Sequence, residues 1–236
     1  MLKTFTRMLL LVVAAVATQA SLVEAALTFT EVRSKAATDP EDYFELTNFG
    51  SAPVDITGWS FDDESADIAD AAPLVGVSTI APGESVVIFQ LDENDPNDPA
   101  YDPAGEVALF RGFWGGLAGV QVGYHGGAGL GKGDAITLFD AANAIALTLE
   151  YGMTLPEQTH AGDWAAGNAD GSDLFENQSA IYAPGAPVGF VTAGPGVLGS
   201  FANTDGDYGS PGVAIPEPAS LVLVALGAGV ATRRRR

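Results

Sequence analysis

Two histidines, thirty acidic residues and no cysteine bound the chemistry open to this chain of 236 residues. Without cysteine there is no thiol nucleophile, no cysteine zinc site and no disulfide. His125 opens the run His125-Gly126-Gly127-Ala128, whose backbone N–H groups could serve an oxyanion. That chemistry needs a serine on a G-x-S-x-G elbow, and the sequence has none. The other histidine, His160, stands beside Thr159 in a loop-like stretch, and two histidines leave a catalytic zinc short of ligands. Residues 126–133 read GGAGLGKG, one residue from a phosphate-binding loop, with Gly133 where the magnesium-binding Ser or Thr belongs. The following Ala135-Ile136-Thr137-Leu138-Phe139 has a strand pattern rather than the required helix, so a flexible glycine loop is the favoured reading. Asn203-x-Asp205-x-Asp207, and Asn168-x-Asp170 with Asp173, have the alternate-oxygen spacing that suits calcium. Neither completes a calcium loop, which makes Asn203, Asp205 and Asp207 weak candidates against an ordinary Asp-Gly turn. Calcium is the only cofactor the sequence suggests. A glycosidase carboxylate pair is defined by separation in space and cannot be located from sequence. Trp59, Trp114 and Trp164 could line a sugar platform, with buried core as the default reading of each. Asn177-Gln178-Ser179 fits a glycosylation sequon, a triplet common by chance.

Charge narrows the partners. The chain carries 30 acidic against 10 basic residues, a net charge of −20. A body this acidic repels phosphate backbones, which excludes nucleic acid as a partner.

The elements available to position these groups are strands. Frequent Gly and Pro with short apolar alternations between them indicate an all-β sandwich or barrel. A first strand begins at Leu27. Residues 42–48 form a second, with Tyr43, Glu45 and Thr47 on one face and Phe44 and Leu46 on the other. Val54, Ile56 and Trp59 are expected on one strand bent at Thr57-Gly58, followed by a polar loop over residues 62–72. Pro82-Gly83 predicts a type II turn before a buried strand over residues 85–89. Residues 92–103, with three prolines and five acids, predict a surface loop, and residues 110–117 a short helix. Residues 135–140 and 144–151 predict a hairpin. Beyond Tyr151 strand signals are few.

The stretches DYFELTNFGSAPVDITGWSFDD (residues 42–63), IAPGESVVIF (80–89) and GDAITLFDAANAIALTLEYG (133–152) together resemble the lamin-tail domain. The resemblance covers residues 27–152, and Ser210-Pro211-Gly212 resembles the family's usual ending. It implies an immunoglobulin-like β-sandwich, here with long loops over residues 92–132 and 153–208, and a domain spanning residues 27–212. It carries no shared catalytic set, so the chain is expected not to be an enzyme.

Both extremities carry addresses. Lys3 and Arg7 precede an apolar run over residues 8–17, the form of a signal peptide over residues 1–25. Signal peptidase is expected to cut after Ala25, leaving Ala26 first; Ala20 closes a second candidate site. With the leader and the final arginines gone, four basic residues face 29 acids, a net charge of about −25. At the other end Pro216-Glu217-Pro218 is followed by an apolar run from Leu221 to Ala231 and then Arg233, Arg234, Arg235 and Arg236. As a helix the run covers roughly 17 Å of a hydrocarbon core about 30 Å thick, a short transmembrane tail and a weak anchor. Arginines hold such a tail on the cytoplasmic side. Residues 213–236 resemble the PEP-CTERM sorting signal of Gram-negative bacteria. That resemblance implies processing at Pro216-Glu217-Pro218 by an exosortase-type membrane peptidase after transient inner-membrane anchoring. It also implies a destination in the cell envelope or outside the cell, in biofilm-forming bacteria that make exopolysaccharide.

The leading expectation is therefore an exported structural or adhesive β-sandwich with exopolysaccharide or surface proteins as partners. A polysaccharide- or calcium-binding module working through acidic loops is the second reading, and an exported hydrolase with an unlocated carboxylate pair the third.

Overall fold

The computed structural model describes residues 27–34, 42–131, 134–151, 179–184 and 190–213. Its strands are β1 (Leu27–Arg33), β2 (Tyr43–Asn48), β3 (Val54–Asp55), β4 (Ser60–Asp62), β5 (Ala72–Pro73), β6 (Thr79–Ile80) and β7 (Ser85–Gln90). After the helix α1 (Pro103–Phe113) come β8 (Gln121–His125), β9 (Asp134–Phe139), β10 (Ile145–Tyr151), β11 (Ala180–Tyr182), β12 (Phe190–Thr192), β13 (Phe201–Ala202) and β14 (Tyr208–Gly209). A six-stranded sheet has the order β12-β11-β1-β2-β7-β8, and a four-stranded sheet the order β10-β9-β4-β5. β3 pairs with β6, and β13 with β14, as small separate ribbons.

The two large sheets pack through apolar side chains. Phe29, Val32, Phe44, Leu46, Val86 and Ile88 of the larger sheet meet Phe61, Ile136 and Leu138 of the smaller. The Phe44 and Phe61 rings stack across the gap with centroids 5.9 Å apart. This is the sandwich that the alternation in β2 and β9 predicts.

The helix is where expectation and structure differ. β7 and β8 run parallel, and parallel neighbours cannot be joined by a tight hairpin. Residues 91–120 make that crossover and carry α1 within it. The Asp102 side chain caps the helix, accepting from Gly105 N at 3.0 Å, and Pro103 occupies its first turn. Proline there loses no helical hydrogen bond, and an Asp-Pro pair is a start signal. The surface loop expected over residues 92–103 therefore ends one residue into a helix, and the helix expected over residues 110–117 starts at Pro103. Among the described residues the fold is mostly strand with one α-helix, in keeping with the all-β class the sequence indicates.

That helix covers the outer face of the larger sheet. Tyr43, Val87 and Phe89 pack against Phe110, Trp114 and Leu117. The Phe89 and Phe110 rings stack at 4.9 Å, and Tyr43 meets Phe110 and Trp114 edge-on at 5.6 and 5.7 Å. Covered on both faces, β2 is buried at every position.

The turns follow their local chemistry. Gly83 has φ +76°, and Glu84 N donates to Ala81 O at 3.0 Å, as a type II turn requires. Asn143 takes φ +63° in the β9–β10 hairpin, whose Asp140 N donates to Ala144 O at 2.8 Å. The single bent strand expected through Val54, Ile56 and Trp59 is two strands: the chain turns at Gly58, and β3 and β4 enter different sheets. β8, β11 and β12 carry too few alternating residues to announce themselves and are specified by their partners. Among the described residues no helix is long and apolar enough to cross a membrane.

Candidate functional site

The layer between the larger sheet and α1 is polar as well as aromatic, and β1 and β2 build it. In β2 the side chains of Tyr43, Glu45 and Thr47 share one face by strand alternation. In β1 the pairing register shifts between Phe29 and Glu31. The bulge turns Thr30 and Glu31 to the same face, and Arg33 follows two residues on. Glu31 and Glu45 are direct cross-strand partners, and both side chains are buried.

Their donors come from 167 and 179 residues away as well as from the neighbouring strand. Glu31 accepts from the Tyr43 hydroxyl at 2.6 Å and from the Ser210 hydroxyl at 2.7 Å. The Ser210 backbone N–H adds contacts of 2.8 and 3.0 Å to the two carboxyl oxygens. Glu45 accepts from Gly212 N at 2.5 Å and from the Thr30 hydroxyl at 2.5 Å. A hydroxyl chain continues from Thr30 to Thr47 at 2.8 Å and on to Ser85 at 2.5 Å. Tyr43 also lies 3.0 Å from the Ser179 hydroxyl.

Burial pushes the Glu31 carboxyl up, against hydrogen bonds from Tyr43, Ser210 and Ser179 that pull it down. Burial, and then the neighbouring Glu31 charge, push Glu45 up to about 8. Two carboxyls face to face in a low-dielectric layer resist double ionisation. Glu45, with fewer donors, is the member that keeps a proton at neutral pH. Burial, followed by the Glu31 charge, also drives the Tyr43 hydroxyl well above its usual range.

Arg33 completes the layer. Its buried guanidinium pairs with Asp207 at 2.5 Å and lies over the Trp114 ring, 5.8 Å from the centroid. The β13–β14 turn supplies Asp207. Asn203 Oδ1 accepts from Asp205 N at 3.0 Å and Asp207 N at 2.9 Å, and Gly206 has φ +94°. β14 then passes so close that a Cβ at Gly209 would sit 2.7 Å from Ser179, Trp114 and Tyr43.

This geometry gives the calcium candidates other work. Asn203 holds its own turn, Asp207 holds Arg33, and Asp205 is exposed. The Asp-Gly turn is the reading the structure supports. Among the described residues no three His, Cys, Asp or Glu side chains are grouped to hold a metal.

His125 ends β8 inside the sandwich. Its ring lies 3.9 Å from Phe61 and 6.0 Å from Phe44, centroid to centroid. Nδ1 accepts from Gly127 N at 3.2 Å, and Nε2 has no hydrogen-bond partner. Burial pushes the imidazole down to about 3, too weak a base for proton transfer near neutrality. The glycine-rich stretch after it leads from β8 into β9, with no helix to receive a phosphate. Lys132 and Gly133 lie outside the described residues.

A second carboxyl pair sits at the smaller sheet. Burial first, and then a hydrogen bond with Glu64, push Asp134 up to about 7, while that bond holds Glu64 down.

Trp114 is buried beneath α1 and offers no sugar platform; Trp59 is half-buried against the sandwich core. Trp164, His160, Asn168, Asp170, Asp173 and Asn177 lie outside the described residues. So do the processing and membrane residues Ala25, Ala26, Pro216, Glu217, Pro218, Leu221, Ala231 and Arg233 to Arg236. The sequence reading missed Glu31, Glu45 and Arg33. The available signal was a polar face on β2 combined with the Ser210-Pro211-Gly212 ending, which together call for a buried acceptor and its donors.

Comparison with known families agrees with this anatomy. A family model described as Lamin Tail Domain matches residues 21–153, more than half of the chain. A model described as a PEP-CTERM protein-sorting motif matches residues 214–236. No curated protein matches the chain. The second match implies an exported protein targeted to an exosortase, the membrane-associated sorting route of Gram-negative bacteria.

Two predictions follow from the polar layer. Replacing Asp207 by Ala removes a charged hydrogen-bond partner from the buried Arg33 guanidinium and should cost about 2 kcal/mol in urea unfolding. Glu45 has a folded pKa raised above its unfolded value, so its contribution is full below about pH 4.5 and lost as pH rises through about 8. The melting temperature should therefore fall between about pH 4.5 and 8 and level off above that, and Glu45→Gln should remove most of that fall.

Proposed function

Because the chain belongs to the lamin tail domain family, we propose that it is a non-catalytic structural or adhesive module of the cell envelope or extracellular matrix. The leader is removed after Ala25, the tail holds the protein at the inner membrane for a time, and an exosortase cuts near Pro216-Glu217-Pro218. What remains is the acidic sandwich. The observation that carries this reading is where the titratable groups go. Glu31, Glu45, Arg33 and Asp207 are consumed in holding β1 and β2 to the segment at residues 207–212, and His125 is stacked inside the core. Groups so engaged are poor candidates for binding and turning over a substrate. The high negative charge suits a soluble module that stays clear of other polyanions and of itself.

Mass spectrometry of the full chain expressed in an exosortase-bearing host tests the proposal. The mature species should begin at Ala26 and end close to Pro216. A cytosolic protein that retains Met1 and Arg236 contradicts it.

A further inference from the structure

The segment that leads into the sorting motif is not a free linker. Ser210 is held by Glu31 through both its backbone N–H and its hydroxyl, and Gly212 by Glu45 through its backbone N–H. Gly212 has φ +84°, and an added Cβ would stand against Val120. Val213 N donates to Ser210 O at 2.9 Å, which closes the turn. Gly212 is thus held four positions before Pro216, and the sorting motif begins two positions after it. Four extended residues reach at most about 14 Å. The compact body behind them has a radius of gyration of about 16 Å for its size, so it is wider than the tether is long.

A peptidase cleft takes its substrate as an extended segment, with residues engaged on both sides of the bond it cuts. A bulky body held within about 14 Å of the motif competes with the peptidase for that space. We propose that Glu31 and Glu45 form an exit clasp that limits how fast the sorting motif is processed, acting as positioning residues on a reaction performed by the membrane peptidase. The inference rests on the processing reading above. The clasp is built from Ser210 and Gly212, outside the matched lamin-tail region and immediately before the sorting motif. Opening it frees Ser210, Pro211 and Gly212, lengthens the tether and admits the peptidase without unfolding the sandwich.

Two variants of the full chain test this by pulse-chase in the exosortase-bearing host. Ten Gly-Ser residues inserted after Val213 leave the clasp closed and add up to about 33 Å of reach. Gly212→Ala cannot keep φ +84° beside Val120 and opens the clasp directly. The spacer variant should be processed about tenfold faster than the native chain, with its melting temperature unchanged. Tenfold corresponds to about 1.4 kcal/mol, the least that opening the clasp's hydrogen bonds to the two buried carboxyls costs the native chain and that the spacer makes unnecessary. Gly212→Ala should be faster too, at a lower melting temperature. Native-rate processing of the spacer variant overturns the clasp as a limit and leaves the processing reading intact. Absence of any cleavage in the native chain overturns the processing reading, and the clasp proposal with it.

Discussion

A carboxyl group in the middle of a sheet must be given hydrogen-bond donors, and in this protein that requirement ties the ends of the body together. Glu31 lies in the first strand, and its donor Ser210 is 179 residues later. An unpartnered carboxylate at that depth would cost several kcal/mol, on the order of the stability of a whole domain. The C-terminal segment therefore cannot leave without exposing or stranding the glutamate. The other features of the outer layer are arranged around this contact. α1 covers the face, Trp114 lies under Arg33, and Gly209 lets the last strand pass without a side chain.

The same groups fix the register of the larger sheet. Slipping β2 by one residue would turn Glu45 and Thr47 into the sandwich and Phe44 and Leu46 out of it. The bulge at Thr30 has the complementary effect in β1, sending two polar residues in succession to the outer face while Phe29 and Val32 stay inside. Buried ionic groups seldom add net stability over well-packed apolar ones. Their contribution here is to define which strand pairing and which chain ending are compatible with one another.

Much of the sandwich was legible in the sequence because local chemistry and periodicity agreed. β2, β9 and β10 alternate, β7 is a short apolar run bounded by a turn, and Pro82-Gly83 specifies that turn. α1 was misplaced because its start signal, Asp102-Pro103, is embedded in a loop of acids and prolines that reads as polar surface. Its true extent depends on the parallel crossover, a tertiary fact. β8 and β11 were missed because a few apolar residues beside glycines specify a strand only when a neighbour supplies the ladder. The buried glutamates were hidden for another reason. A polar face on a strand ordinarily means solvent, and only the helix and the turn at Ser210 to Gly212, both remote in sequence, make it an interior. His125 and the glycine-rich stretch after it resembled chemistry in one dimension and proved to be core packing and a connection between strands.

The central claim is that the turn at Ser210 to Gly212 is part of the folded core rather than the start of a loose tail. Native-state hydrogen exchange of the Ser210 and Gly212 amides tests it most directly. The account predicts strong protection of both amides, somewhat below that of the interior amides of β2 because the clasp opens before the sandwich does. Exchange of both amides at the rate of unstructured chain, while β2 stays protected, would contradict it.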